Sequence, residues 1–183
     1  MPRNAVALQR QTPQKMPQLS PLGPPDSDHF IAGISWLQRG DAVRAGEELD
    51  KIAPPLHLHP DVLEIRWRIH VMRADWQQAL HTGDLLVASC PERPESWLAC
   101  SQALHALGRT QDAWDKLLAA AERFPRHSLL FFNLACYACV LGDLDEARRR
   151  LKQAIALGEA REIKQMALEE ADLKPLWPEV VDW

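Results

Sequence analysis

The sequence predicts an all-α fold, a solenoid of stacked antiparallel helix pairs. Three observations carry this. Small residues recur at a fixed interval: Ala45, Ala79, Ala113 and Ala147 are each 34 residues apart, as are Gly40, Ala74, Gly108 and Gly142. Within each interval, apolar residues fall twice at the spacing of one helix face. No insertion breaks the phase between the first copy and the last.

The elements follow in order. Residues 1–25 hold Pro2, Pro13, Pro17, Pro21, Pro24 and Pro25, carry Arg3, Arg10 and Lys15, and contain no acidic residue. Such a segment neither sustains a helix nor buries enough apolar surface to offset ordering, so a disordered leader is expected. The alternative is a docking segment, for a partner or for the chain's own groove. Four copies then run 26–59, 60–93, 94–127 and 128–161. In the third, Trp97, Cys100, Leu104 and Leu107 mark a first helix, and Ala113, Trp114, Leu117, Ala120 and Ala121 a second. The Gly or Ala between them permits a tight reversal, and Asp41, Asp75 and Asp143 are placed to cap the second helices. Arg109 takes that place in the third copy. Pro60, Pro94 and Pro125 punctuate the joints between pairs.

Gly33, Ser101 and Ala135 recur where helices approach closely, but the second copy puts Trp67 there. It also has Gly83 where the others have Leu49, Leu117 and Leu151. Compensation is expected, the Trp67 indole filling the volume Gly83 vacates. Residues 162–183 read as a cap and tail. Ile163, Met166 and Ala167 share one face of a last helix, with Leu173, Leu176 and Trp177 folding back on the last pair.

Composition narrows the function. The 183 residues are 46% hydrophobic, enough for a sizeable core, and carry a formal charge of −4. That balance gives no electrostatic footprint for nucleic acid. No apolar run reaches the length of a membrane span, and Ala5-Val6-Ala7-Leu8 is too short for a secretory core. A cytoplasmic location is expected, in keeping with Cys90, Cys100, Cys136 and Cys139 as reduced, packed thiols.

The period, the small-residue slots, the large residues at Leu63, Trp97 and Phe131 and the recurring Pro91 and Pro125 resemble the tetratricopeptide-repeat family over about residues 26–161. The resemblance implies a right-handed superhelix whose first helices line a concave groove. Helical geometry then selects the residues turned about 100° from the core-facing stripe. They are Phe30, Ile34 and Leu37, then Glu64, Arg68 and Val71, then Leu98, Gln102 and His105, and finally Phe132, Cys136 and Cys139. This predicts a groove apolar at both ends and polar in the middle, suited to a peptide or an amphipathic helix. The alternative is tight curvature, with these residues packing between adjacent first helices. A subset of the family grips chaperone carboxylates with Lys and Asn. Phe30 and Ile34 occupy the corresponding first-copy places, and Asn133 alone does not restore the set, so that ligand is not expected.

The expected function is a protein-binding scaffold or adaptor, not an enzyme, with no cofactor, metal or catalytic residue. A second reading is a holding chaperone for an exported or assembling protein. A third is a thiol redox protein using Cys136 and Cys139. That pair lies mid-helix, away from the free N–H groups that lower a thiol pKa, and has no second pair to complete a zinc site. His57 and His59 read as a solvated connection, Arg148-Arg149-Arg150 as a solvated helix face, and Trp36, Trp76, Trp97 and Trp114 as core. Partners are expected to be proteins; self-association is possible but not predicted.

Overall fold

The computed structural model describes residues 21–183. Residues 1–20 of the leader lie outside the described residues. The described chain is built of helices: α1 (Asp26–Gln38), α2 (Ala42–Leu49), α3 (Pro60–Met72), α4 (Trp76–Ser89), α5 (Pro94–Ala106), α6 (Thr110–Arg123), α7 (Ser128–Val140) and α8 (Leu144–Leu157) form four antiparallel pairs. Next come α9 (Ala160–Glu169), a 3-10 turn (Ala171–Leu176) and α10 (Trp177–Asp182). Each pair packs on the next, giving an all-α solenoid.

The reversal inside each pair turns on one left-handed residue. Gly40, Gly108 and Gly142 have φ of +80°, +76° and +86°, and Ala74 is held at +52°. The next residue starts the second helix. Carboxylates of Asp41, Asp75 and Asp143 accept from the backbone N–H of Arg44, Gln78 and Glu146 at 2.9, 3.3 and 3.0 Å. Each such cap contributes about 1 kcal/mol. Arg109 supplies no cap to α6; its guanidinium pairs with Asp112 instead. Pro60 and Pro94 occupy the first turns of α3 and α5, where a missing N–H costs nothing.

The first pair is the irregular one. Pro54 and Pro55 cannot continue α2, and a 3-10 turn at Pro54–Leu56 replaces its last turns. Asp26 ties the start of α1 to this turn, accepting from the Ala53 N–H at 2.7 Å. The expectation of solvated histidines is corrected here. His57 Nε2 lies 2.7 Å from the Ile52 carbonyl, and His59 Nδ1 accepts from the Asp61 N–H at 3.3 Å, capping α3.

The buried interior divides in three. One cluster joins α1, α2 and α3 through Leu37, Leu49, Val62, Ile65 and Ile69. A small middle cluster holds Leu63, Leu86 and Ala99, with Trp67 against it. The largest runs from α5 to the C-terminal segment and includes Leu117, Leu134, Tyr137, Leu151, Leu173 and Leu176. Trp36, Trp97 and Trp114 are partly buried against these clusters, whereas Trp76, expected in the core, is partly buried but packs against none of the three.

The compensation expected at Trp67 and Gly83 takes another form. A Cβ on Gly83 would come 2.8 Å from Cys100 Cα and 3.0 Å from Cys100 N, so the α5 backbone, not the indole, fills the space. Trp67 packs nearby with its Nε1 donating to the Ala99 carbonyl at 3.1 Å. Both departures of the second copy therefore seat α5, whose backbone comes close against α4 at Gly83 and bonds to α3 through Trp67. The arginine run is also corrected. Arg148 Nε donates to both carboxylate oxygens of Glu179 at 2.8 Å, Arg150 pairs with Glu146 at 2.7 Å, and only Arg149 is an exposed helix-surface charge. In α9, Ile163 and Ala167 are buried but Met166 is exposed, off the packed face.

Candidate functional site

The twelve residues selected by helical phase do not line one open groove, and the expectation is corrected on that point. Leu37 is buried in the first cluster, while Phe30 and Ile34 are partly buried against it, with Leu22 from the end of the leader. Phe132, Cys136 and Cys139 are buried at the other end. In the middle, Glu64, Arg68 and Gln102 are exposed and Val71 is half-buried.

The middle set converges. Glu64 and Arg68 from α3 and Leu98 and Gln102 from α5 line a pocket of about 190 Å³. Trp67, Leu86, Leu98 and Ala99 contribute apolar surface, and Glu64, Arg68, Arg93 and Glu95 surround it with two charges of each sign. Arg93 also reaches Asp61 at 3.6 Å. Sequence phase found Glu64, Arg68, Leu98 and Gln102. It missed Trp67, Leu86, Arg93 and Glu95. Trp67 and Leu86 sit on the packing faces of their helices, and Arg93 and Glu95 lie at the start of α5, outside the phase used. The anomalous Trp67 was the available signal: a large side chain in a small slot must go somewhere.

At the C-terminal end the groove positions are covered by the chain itself. The 3-10 turn Ala171–Leu176 packs on α7, with Leu173 and Leu176 fully buried. Its Asp172 Oδ2 lies 2.9 Å from His105 Nε2 on α5. His105 also stacks on Tyr137, with ring centroids 4.9 Å apart. The residues that lend polarity there are therefore committed within the chain.

This covering decides the thiol chemistry. Burial pushes the Cys136 thiol well above its ordinary range, helped by Glu170 and Asp172. Burial raises Cys139 to about 11, with Asp172 adding to it. Burial likewise raises Cys100 to about 11, and its thiol donates to Asp84 Oδ1 at 3.2 Å. A protonated, buried thiol is a poor nucleophile, so the arrangement disfavours thiolate chemistry at all three. Among the described residues no group of three or more His, Cys, Asp or Glu side chains is placed to hold a metal ion. Among them, too, no helix is long and apolar enough to cross a membrane.

No family model matches the sequence. No curated protein matches it either. Solved structures do. TTC0263, a thermophilic TPR protein of Thermus thermophilus, aligns with a TM-score of 0.69 at 23% identity, over 84% of this chain and 82% of that one. MamA from Desulfovibrio magneticus RS-1, from residue 41 to its end, aligns with a TM-score of 0.66 at 16% identity, over 87% and 95%. MamA of MSR-1 aligns at 0.62 and 20% identity, over 74% and 78%. At such identities the likeness speaks to fold.

Proposed function

This chain has the tetratricopeptide-repeat fold, and from that premise we propose that it is a protein-binding scaffold whose first-helix face holds a peptide or amphipathic helix. The observation that carries the reading is the open pocket between α3 and α5, where Glu64, Arg68, Leu98 and Gln102 meet. Its volume of about 190 Å³ falls below the roughly 300–1,000 Å³ of small-molecule sites. It suits one apolar anchor side chain of a longer segment. The paired charges on its border suit a segment with both signs near that anchor. Phe30, Ile34 and Val71 would extend the contact toward the first copy. The cytoplasmic location and the absence of catalysis belong to the same proposal.

Burial also dictates how to test it. Glutamates at Leu37 or Phe132 would enter the core and unfold the chain. Arg68→Glu with Gln102→Glu changes two exposed side chains instead. Affinity capture from native lysate should recover a protein with wild type that the double variant loses, at unchanged circular dichroism. A partner held equally by both would move binding away from this pocket.

A further inference from the structure

The groove positions of the fourth copy differ chemically from those of the others. In the same phase stand Ile34 and Leu37, Arg68 and Val71, Gln102 and His105, and then two thiols, Cys136 and Cys139. The segment Ala171–Leu176, here called the clasp, packs on α7 and shares one buried cluster with the two thiols. Leu173 and Leu176 are fully buried in the same cluster as Cys136 and Cys139. Asp172 reaches past α7 to His105 on α5. The two leucines leave no surface exposed, while the Asp172–His105 contact stays partly open to solvent, with side-chain exposures of 30% and 25%.

The flanks of the clasp are held by other contacts. Trp177 Nε1 donates to the Ala167 carbonyl at 2.8 Å, Glu179 takes both oxygens to Arg148, and Lys152 lies over the Trp183 ring at 4.8 Å. None of these bonds involves residues 171–176. Backbone at Glu170 is extended, so α9 ends before the clasp begins. The clasp packs on α8, α9 and α10 as well as on α7, so its release breaks those contacts too, while the flanking bonds still tie α10 to α8 and α9.

We propose that the clasp is a displaceable internal ligand. The surface beneath it on α5 and α7 would then accept a partner segment of the same pattern, an acidic residue followed by leucines one and four places later. Recognition would use His105 for the carboxylate and the thiol-bearing face of α7 for the leucines. This goes beyond the α3–α5 pocket and does not depend on it.

The test uses the full chain and reads alkylation of each cysteine by mass spectrometry. Leu173→Ser with Leu176→Ser should raise labelling of Cys136 and Cys139 at least tenfold. Cys90 and Cys100, which lie outside the clasp, should keep their rates. A synthetic peptide of residues 170–176, EADLKPL, should slow Cys136 and Cys139 back toward wild type. The same peptide with both leucines replaced by serine should not. Protection by the first peptide alone supports the proposal. Absence of protection overturns it, as does equal acceleration of all four thiols, which would make the clasp part of the global fold. Should the double variant lack helical circular dichroism, Asp172→Ala takes its place with the same readouts. The outcome is independent of Arg68 and Gln102, so failure here is separable from failure of the α3–α5 pocket.

Discussion

Nε2 of His105 lies 2.9 Å from Oδ2 of Asp172, a residue 67 positions later in the chain. Nδ1 of the same ring lies 3.0 Å from Oγ1 of Thr110. With Nε2–H donating to the carboxylate, Nδ1 is left to accept from the threonine hydroxyl, so one neutral tautomer satisfies both partners. The ring rests on Tyr137, which is itself buried and donates to Ser101 Oγ at 3.2 Å. Two polar contacts joined by one aromatic step thus run from the C-terminal segment to the inside of the third and fourth copies.

That arrangement makes Ser101 and Tyr137 an unequal pair. Ser101 Oγ also donates to the Leu98 carbonyl at 3.0 Å, so it keeps a partner when the phenol is removed. Tyr137→Phe should cost about 0.5–1.5 kcal/mol, the net value of a hydrogen bond. Ser101→Ala strands a buried phenolic hydroxyl and should cost about 1–3 kcal/mol. The double variant should be no less stable than Ser101→Ala alone. Urea denaturation of the three variants measures this, and a larger loss for Tyr137→Phe than for Ser101→Ala would contradict it.

The reversal between α3 and α4 carries avoidable strain. Ala74 has φ of +52°, where the other copies have glycine. A left-handed alanine costs about 1–2 kcal/mol, part of which glycine returns through the entropy of its unfolded chain. Ala74→Gly should stabilise by about 0.5–1 kcal/mol, seen as a higher urea midpoint at constant slope. A lower midpoint would mean the turn is not strained.

Two helix glycines should answer alanine with opposite signs. Gly46 in α2 has open space where a Cβ would go, so Gly46→Ala should gain about 0.5–1 kcal/mol of helix stability. At Gly83 the Cβ would meet the Cys100 backbone at 2.8 Å, and Gly83→Ala should lose about 1–3 kcal/mol by forcing α5 away from α4. Thermal melts of both variants suffice. Equal behaviour would show that the approach of α5 is not held by Gly83.

The junction of α4, α5 and α6 should be pH-sensitive at both extremes. Burial pushes the Asp84 carboxyl up, but hydrogen bonds from Lys116 (2.7 Å) and Cys100 outweigh it and hold the group below its ordinary 3.8. For Lys116, burial pushes down, but hydrogen bonds to Asp84 and Cys100 outweigh it, leaving the ammonium above its ordinary 10.5. A depressed carboxylate stabilises above its unfolded pKa, and that stabilisation is lost as pH falls through the folded value. A raised ammonium stabilises below its unfolded pKa, and that stabilisation is lost as pH rises through the folded value. The pair thus supports the fold from about pH 4 to about pH 10. Asp84→Asn should flatten the fall in melting temperature below pH 4. A profile parallel to wild type would remove the pair from the stability of the junction.

The architecture was legible in the chain because its signals are local. A 34-residue phase, a left-handed residue at each reversal and an aspartate at three of the four second helices each act within a few residues of where they stand. The third reversal, with Arg109, and the left-handed Ala74 departed from the pattern without changing the fold, since stacking of the pairs outweighs a single cap or turn. Helical phase likewise selects Glu64, Arg68, Leu98 and Gln102, because each takes the same place on the first helix of its copy, and α3 and α5 meet directly through Trp67 and Ala99. Tertiary structure alone decided the rest. Whether a groove position is open depends on what returns to cover it, and no local rule places Asp172 beside His105 or packs Leu173 and Leu176 into one cluster with α7. Nor could phase show that the space at Gly83 belongs to the α5 backbone rather than to Trp67. Helix identity is set by short-range backbone bonding and side-chain periodicity. Access to the site is set by contacts between segments tens of residues apart, whose burial the linear pattern does not record.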